Sequence, residues 1–445
     1  MKKCSRVPAR LIRIGLLLLI CFNGCAVHEK RSAIGLHRRS FIDYWPPENN
    51  SQLTLGVKDN IDMKGVVTTA GSAYVAKTNP PAARDAACLA IARSRNVKIV
   101  GKTNLSEFAL SPSGINDYFG TPRNPFNRWA RSKYIPGGSS SGSGATVANG
   151  LVDIAFGTDT AGSVRLPAAC CGIVGLKTTF GLVSLKGVFP VEPKHLDTVG
   201  PMGRDIEHVV KGMDLLENGF AARYQAAVAA KPSAREIRIG RLYLKGTDAK
   251  IDKAIDDALA RAHFKVIPLD RTFQAKWDQA KKDGNTLAAA GAWMSDQKYS
   301  LANGVGIRTK AVIALGRLLY PTQYQDALRR RPKWQRSLRR VFRKVDFIAL
   351  PTMQTLPPRI PVFSKLPILE ALVLDLQNTV PVNLAGNPAL AMPVPVNDKK
   401  VPVTSLQLIG PNLGEAKLLN AGRLIENSAR KVQQLAFAQK TRSKP

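Results

Sequence analysis

The sequence predicts an α/β protein built on a mixed, mostly buried β-sheet flanked by α-helices. Three observations carry this. Strand-like and helix-like segments alternate along the chain, as βαβ units do. Some of the strand-like runs are apolar almost throughout, the pattern of strands covered on both faces. With 445 residues, 44% of them hydrophobic and 7% aromatic, the chain can build a sizeable core, as one large domain or two ordinary ones.

Each element has its own signal. "LTLGVKDNID" (53–62) reads as a strand running into a turn. "RDAACLAIARSRN" (84–96) spaces its apolar residues as a helix does, and "VKIVGKT" (97–103) is the strand that follows. "GATVANG" (144–150) fits a short helix and "LVDIAFGTD" (151–159) a buried strand. Residues 205–235 read as a helix followed by a loose polar connector. "IRIGRLYL" (237–244), "KAIDDALARAH" (253–263) and "FKVIPL" (264–269) read as strand, helix and strand. "PKWQRSLRRVFRK" (332–344) is a basic amphipathic helix with Trp334, Leu338 and Val341 on one face. "VDFIALPT" (345–352) is a strand that stops at a proline, and residues 414–438 form a long closing helix. There is no internal repeat.

The first residues have a different character. Lys2, Lys3, Arg6, Arg10 and Arg13 precede a nine-residue apolar run from Ile14 to Phe22, and Gly24 precedes Cys25. This is the pattern of an export signal, over residues 1–24. Nine residues are too few to span about 30 Å of hydrocarbon as a helix. "FNGC" resembles a bacterial lipobox with Cys25 as the lipidated residue, although Phe22 and Asn23 depart from its usual residues. The expectation is a protein of the periplasm or cell envelope, lipid-anchored through Cys25. Formal net charge is +33, and the signal would remove only five of 65 basic residues. Such a field suits an anionic surface. Residues 329–344 hold nine of these charges, a solvated face or an attachment site. No nucleic-acid-binding motif is present.

Beyond the signal and Cys25, three cysteines remain, too few for a disulfide framework. Cys88, Cys170 and Cys171 lie among small apolar residues and read as core. With five histidines and no metal-ligand spacing, neither a metal nor another cofactor is expected.

Residues 137–179 are nearly neutral yet rich in glycine and serine. Glycines let backbone approach backbone or ligand closely. "GTDTAGS" could aim consecutive N–H groups at one point, an anion-binding nest. A nest beside a serine suits acyl transfer, which needs a nucleophile and donors for an oxyanion. No histidine sits near to act as base, but a buried neutral lysine could. A Gly/Ser-rich stretch is more often a flexible linker. Here it is interleaved with strand-like runs and reads as packed.

"GGSSSGSGATVANG" (137–150) and "IAFGTDTAGSVRLPAACCGIVGLKTT" (154–179) resemble the amidase signature family, serine amidases with a Ser–Ser–Lys triad. "VKDNIDMKG" (57–65), "GKTNLSEFAL" (101–110), "YFGTPRNPF" (118–126), "NTVPVNLAGNPALAMPV" (378–394) and "VPVTSLQLIGP" (401–411) resemble its other blocks, in family order. The resemblance implies one amidase domain over 26–445. It implies Ser163 as nucleophile, Ser139 as a bridging serine after a cis peptide bond, and Lys58 as base. It implies an oxyanion hole from the N–H groups of Thr160, Ala161, Gly162 and Ser163. Asp159 and Arg165 would order that loop, Gly137 and Gly138 would turn Ser139 inward, and Lys64 would have no role. Ser141 and Ala161 stand where the family has glycine and Thr178 where it has proline; none of these removes a catalytic group.

The function so implied is hydrolysis of a carboxylic amide to acid plus ammonia or amine, through a serine acyl-enzyme, without cofactor. Two alternatives are kept. One is the glutamine-hydrolysing A subunit of the tRNA amidotransferase, a member of the same family with cytosolic partners, which an exported chain would not meet. The other is a non-catalytic surface lipoprotein that binds anionic polymers.

Overall fold

Eleven strands join into one continuous sheet in the computed structural model, which describes residues 39–47, 52–127, 133–231, 233–361 and 368–442. Cys25 and the export segment lie outside the described residues. In chain order the strands are β1 (Phe41–Tyr44), β2 (Thr54–Lys58), β3 (Lys98–Thr103), β4 (Ile154–Asp159), β5 (Val174–Lys177) and β6 (Thr198–Gly203). They continue with β7 (Arg238–Arg241), β8 (Lys265–Pro268), β9 (Phe347–Pro351), β10 (Ala389–Pro395) and β11 (Val403–Ile409). The helices are α1 (Ala73–Thr78), α2 (Ala90–Ser94), α3 (Ser141–Ala148), α4 (Arg165–Cys171), α5 (Ile206–Asp214) and α6 (Phe220–Ala230). Then come α7 (Ala249–Arg261), α8 (Arg271–Asp296), α9 (Ile307–Val341), α10 (Ile368–Leu376), α11 (Val380–Ala385) and α12 (Glu415–Arg442).

The sheet order is β1-β3-β2-β4-β6-β5-β10-β11-β9-β7-β8. β2 runs parallel to both β3 and β4, and β7 parallel to both β8 and β9; the remaining pairs are antiparallel. The sheet is therefore mixed, a single large α/β layer system. Its central strands are buried on both faces, while the edge strand β8 is largely exposed. In β9, Phe347 and Ala349 join the core under α5, α7 and α12, while Ile348 and Leu350 join the core under α8, α9 and α11. The period of two along a strand makes that division.

The central register positions the site. β2 and β4 are parallel with Val57 opposite Phe156, so both strands end at the same edge, with Lys58 and Asp159 as their last residues. Ligands of open α/β sheets bind at such carboxyl ends. β6 runs antiparallel beside β4, with Thr198 opposite Asp159, which brings Asp197 to that edge.

Three segments differ from the sequence reading. Residues 220–230 are a helix, α6, not a polar connector; Phe220, Tyr224 and Ala227 give it a buried stripe at helical spacing. The 84–96 segment is only a turn of 3₁₀ helix (Ala87–Leu89) and the five-residue α2. The basic helix starts 25 residues earlier than its amphipathic pattern, at Ile307, and α9 runs through Pro321 and Pro332. Each proline removes one helical hydrogen bond. Packing overrides this, because Ile313, Tyr324, Ala327, Trp334 and Leu338 are buried along one side of α9. The approach to α8 is close: a Cβ on Gly316 would lie 1.9 Å from the Ala289 carbonyl oxygen.

Candidate active site

Lys58 closes β2 with its side chain wholly buried. Its Nζ lies 2.7 Å from Ser139 Oγ and 2.7 Å from Thr158 Oγ1, with the Thr158 carbonyl at 3.5 Å. Among the described residues no carboxylate touches it. Burial therefore pulls its pKa down to about 7, against the pull of the nearby Asp159 and Asp197 charges. Lys64 is exposed, and Lys102 is a buried partner of Asp59 at 2.9 Å. Of the lysines in these blocks, Lys58 is the one held beside a serine.

Ser139 stands at the entry of α3, after a cis Gly138–Ser139 peptide bond. Its carbonyl accepts from the N–H groups of Ser106 (3.1 Å) and Ser141 (2.8 Å). The next N–H, that of Ser140, donates to the Ser163 carbonyl at 3.2 Å. Ser139 and Ser163 thus sit on two backbones joined by one hydrogen bond. The Ser163 hydroxyl has no hydrogen-bond partner among the described residues, and Ser163 is 9% exposed, facing a cavity.

The loop between β4 and α4 carries Thr160 to Val164, and Asp159 organises it. One carboxylate oxygen accepts the Gly162 N–H at 2.8 Å, and the other the Val164 N–H at 3.1 Å. Both oxygens also accept from Arg165, at 2.9 and 3.1 Å. Burial opposes the Asp159 charge, but Arg165 and Asn383 hold the carboxyl well below the usual range. Arg165 donates further to the Thr379 carbonyl (3.0 Å) and to Gln407 Oε1 (2.7 Å). The ordering role implied for Asp159 and Arg165 thus has a physical form, a fully buried ion pair at the base of the loop.

Gly162 is at φ +131°, and a Cβ there would meet Thr379 Oγ1 at 2.3 Å. Its N–H is committed to Asp159. The N–H groups of Thr160, Ala161 and Ser163 have no partner among the described residues, so three of the four groups in the implied oxyanion hole are open donors. The Thr160 side chain is fixed by Asp197 at 2.6 Å, and the Ala161 carbonyl by Thr379 Oγ1 at 2.6 Å.

Ser163, Thr160 and Ala161 open on a cavity of about 300 Å³. Leu110, Leu166, Val191, Val312, Leu315 and Leu374 are among the apolar residues of its wall, Ser111, Asn285, Thr286 and Gln377 add polar groups, and among the described residues no Asp, Glu, Lys, Arg or His lines it. The arrangement offers a hydroxyl on the cavity, a buried amine bonded to a neighbouring serine, and open N–H donors beside a largely apolar chamber. That is the equipment of acyl transfer. Among the described residues no cluster of His, Cys, Asp or Glu could hold a metal. The buried thiols are inert: burial pushes Cys88 and Cys171 up to about 12 and Cys170 well above its usual range.

Sequence reasoning missed the partners that come from far away. Thr158 is readable as the residue before Asp159 on a buried strand. Thr379 and Asn383 stand in the 378–394 block, but nothing in it ties them to the loop, and Asp197 gives no local signal; only the fold brings the three together. The departing residues are placed plainly: Thr178 donates its hydroxyl to the Val199 carbonyl at 2.8 Å, and Ser141 begins α3.

A family model described as Amidase matches residues 53–419. The glutamyl-tRNA(Gln) amidotransferase of Halobacterium salinarum has an A subunit that is 32% identical over 413 residues, 84% of this chain and 94% of that protein. The crystal structure of the corresponding Thermotoga maritima protein superposes with a TM-score of 0.72 at 26% identity, over 89% of this chain and 90% of that one. A chain from a vestigial complex tied to the origins of an s-triazine catabolic enzyme superposes with a TM-score of 0.74 at 25% identity, over 90% and 87%.

Proposed function

Since the chain belongs to the amidase family, hydrolases that act on carbon–nitrogen bonds, we propose that it cleaves a carboxylic amide to acid plus ammonia or amine through an acyl-enzyme on Ser163. The observation that carries this reading is the 2.7 Å approach of a fully buried lysine amine to Ser139. In its neutral form the amine donates N–H to Thr158 and turns its lone pair to the Ser139 O–H. Lys58 takes that proton as Ser139 takes the proton of Ser163, and Ser163 Oγ attacks the amide carbon. The open N–H groups of the 160–163 loop receive the oxyanion; in comparable sites one such donor is worth about 3–4 kcal/mol. Collapse breaks the C–N bond while the relay returns a proton to the leaving nitrogen. Water then attacks the acyl-enzyme by the same relay and releases the acid.

The test is release of ammonia or amine from a library of amides by the purified protein. Ser163→Ala is expected to abolish it with the fold intact; full turnover in that variant would end the assignment.

A second reading, glutamine hydrolysis within an amidotransferase, is favoured by the amidotransferase relatives. The uncharged cavity wall weighs against it, as does the export-like N-terminus. We also propose export with lipid attachment at Cys25. Cys25→Ser is expected to release the protein from the membrane fraction or block its processing; unchanged anchoring and processing would refute the lipid.

A further inference from the structure

Of the polar side chains that line the cavity outside the proton relay, one has a buried donor with no acceptor among the described residues. Gln377 follows α10, is 1% exposed and lines the cavity beside Ser163. The Thr379 hydroxyl donates its one proton to the Ala161 carbonyl at 2.6 Å and lies 3.4 Å from Gln377 Oε1. The Gln377 carboxamide nitrogen has no acceptor among the described residues. A buried donor left unmade is costly, and native proteins keep few of them. Two other polar groups of the wall are engaged elsewhere, Ser111 donating to Glu370 at 2.7 Å and Thr160 to Asp197 at 2.6 Å, while Asn285 and Thr286 also line it.

Taking Ser163 as the nucleophile, as proposed above, we infer that Gln377 is a specificity-determining residue that donates a hydrogen bond to an acceptor atom in the acyl part of an uncharged, otherwise apolar amide. The rest of the wall explains the other half of that class. A charged acyl group would leave water for a chamber whose described lining holds no counter-charge. L-Glutamine carries both an ammonium and a carboxylate at the far end of its acyl chain, so it fits an uncharged wall poorly. An aliphatic acyl group with one ether or carbonyl oxygen satisfies both the aliphatic wall and the unmade donor.

The experiment compares hexanamide with its isosteric ethers 4-methoxybutanamide and 3-ethoxypropanamide, and with L-glutamine. Binding is measured by calorimetry on the Ser163→Ala protein, so it needs no turnover. One of the ethers is expected to bind about five- to tenfold tighter than hexanamide, the worth of one net hydrogen bond. Glutamine is expected to bind weakest. Gln377→Met in the same background should bring the ether and the hydrocarbon within about twofold. Should that variant fail to fold, Gln377→Asn, which withdraws the donor by one methylene, takes its place. Equal or tighter binding of hexanamide, an ether preference that survives loss of Gln377, or glutamine as the tightest ligand overturns the inference. Labelling of wild-type Ser163 by phenylmethanesulfonyl fluoride, read by mass spectrometry, separates the two layers. Absence of labelling counts against the nucleophile, while the binding ratios still decide Gln377.

Discussion

The acylation rate should follow the neutral fraction of Lys58, and the structure sets where that fraction changes. An ordinary lysine loses its proton at 10.5; the buried Lys58 does so at about 7. Each unit is about 1.4 kcal/mol, so the net shift, burial less the opposing pull of Asp159 and Asp197, is about 5 kcal/mol toward the neutral base. At pH 7 about half of Lys58 is neutral, against about 3 in 10,000 for an exposed lysine, a gain of about a thousandfold in competent enzyme. The assay is kcat/KM for a neutral amide from pH 5.5 to 10, with single-turnover acylation as a check that chemistry is being read. The rate should fall tenfold per unit below about pH 7 and level off by about pH 8. Lys58→Met should be slow and flat throughout. An inflection near 10, or a rate flat from pH 6 to 9, would refute the argument, since it would mean that Lys58 either keeps its ordinary pKa or is not the base.

The same burial predicts a stability effect. The unfolded chain holds the Lys58 proton up to about 10.5 and the folded chain only to about 7, so Lys58 costs stability most fully below pH 7 and less as pH rises toward 10.5. Lys58→Met should therefore raise the unfolding free energy read by urea titration, by a few kcal/mol at pH 6 and much less at pH 10; a shift of the opposite sign would count against the neutral-lysine picture. Gly162→Ala places a Cβ 2.3 Å from Thr379 Oγ1 at φ +131°, and should lose at least about a hundredfold in kcat and about 2 kcal/mol or more of stability; Thr379→Ala in the same chain should restore part of both, and no loss in the single variant would refute the packing argument. Arg336, Arg339 and Arg343 are exposed on α9 and the turn after it, so changing all three to Glu should weaken salt-sensitive binding to anionic vesicles while kcat/KM for a neutral amide stays within a fewfold, as screening over about 8–10 Å implies. Loss of the neutral-amide rate in a folded triple variant would place that face in the substrate path.

Much of the site is legible in the sequence because the relevant residues sit in short blocks of distinctive composition. Lys58, Ser139 and Ser163 each stand in such a block, and the strand patterns at β2, β3 and β4 can be read directly. Illegible are the features that depend on distant neighbours. Nothing in "GTDTAGS" says that the Gly162 N–H turns to Asp159 and leaves its flanking groups open. α9 is half hidden because Pro321 and Pro332 speak for breaks, and only burial against α8 outweighs them. α6 is hidden by its alanines, which suit a helix but give a weak pattern until Phe220 and Tyr224 are seen to be buried.

The Asp159–Arg165 clasp has a consequence for how the chain comes to life. Arg165 reaches Thr379 and Gln407, and Asn383 reaches Asp159, across more than 200 residues of chain. A ribosome that has finished residues 137–179 has made every atom of the serine-rich block yet none of its far moorings. The loop cannot hold its donors in place until the strands and helix of the last quarter have docked. Ser163, the proposed nucleophile, is thus written early and its loop moored late, so a nascent or truncated chain should carry the motif without the reactivity.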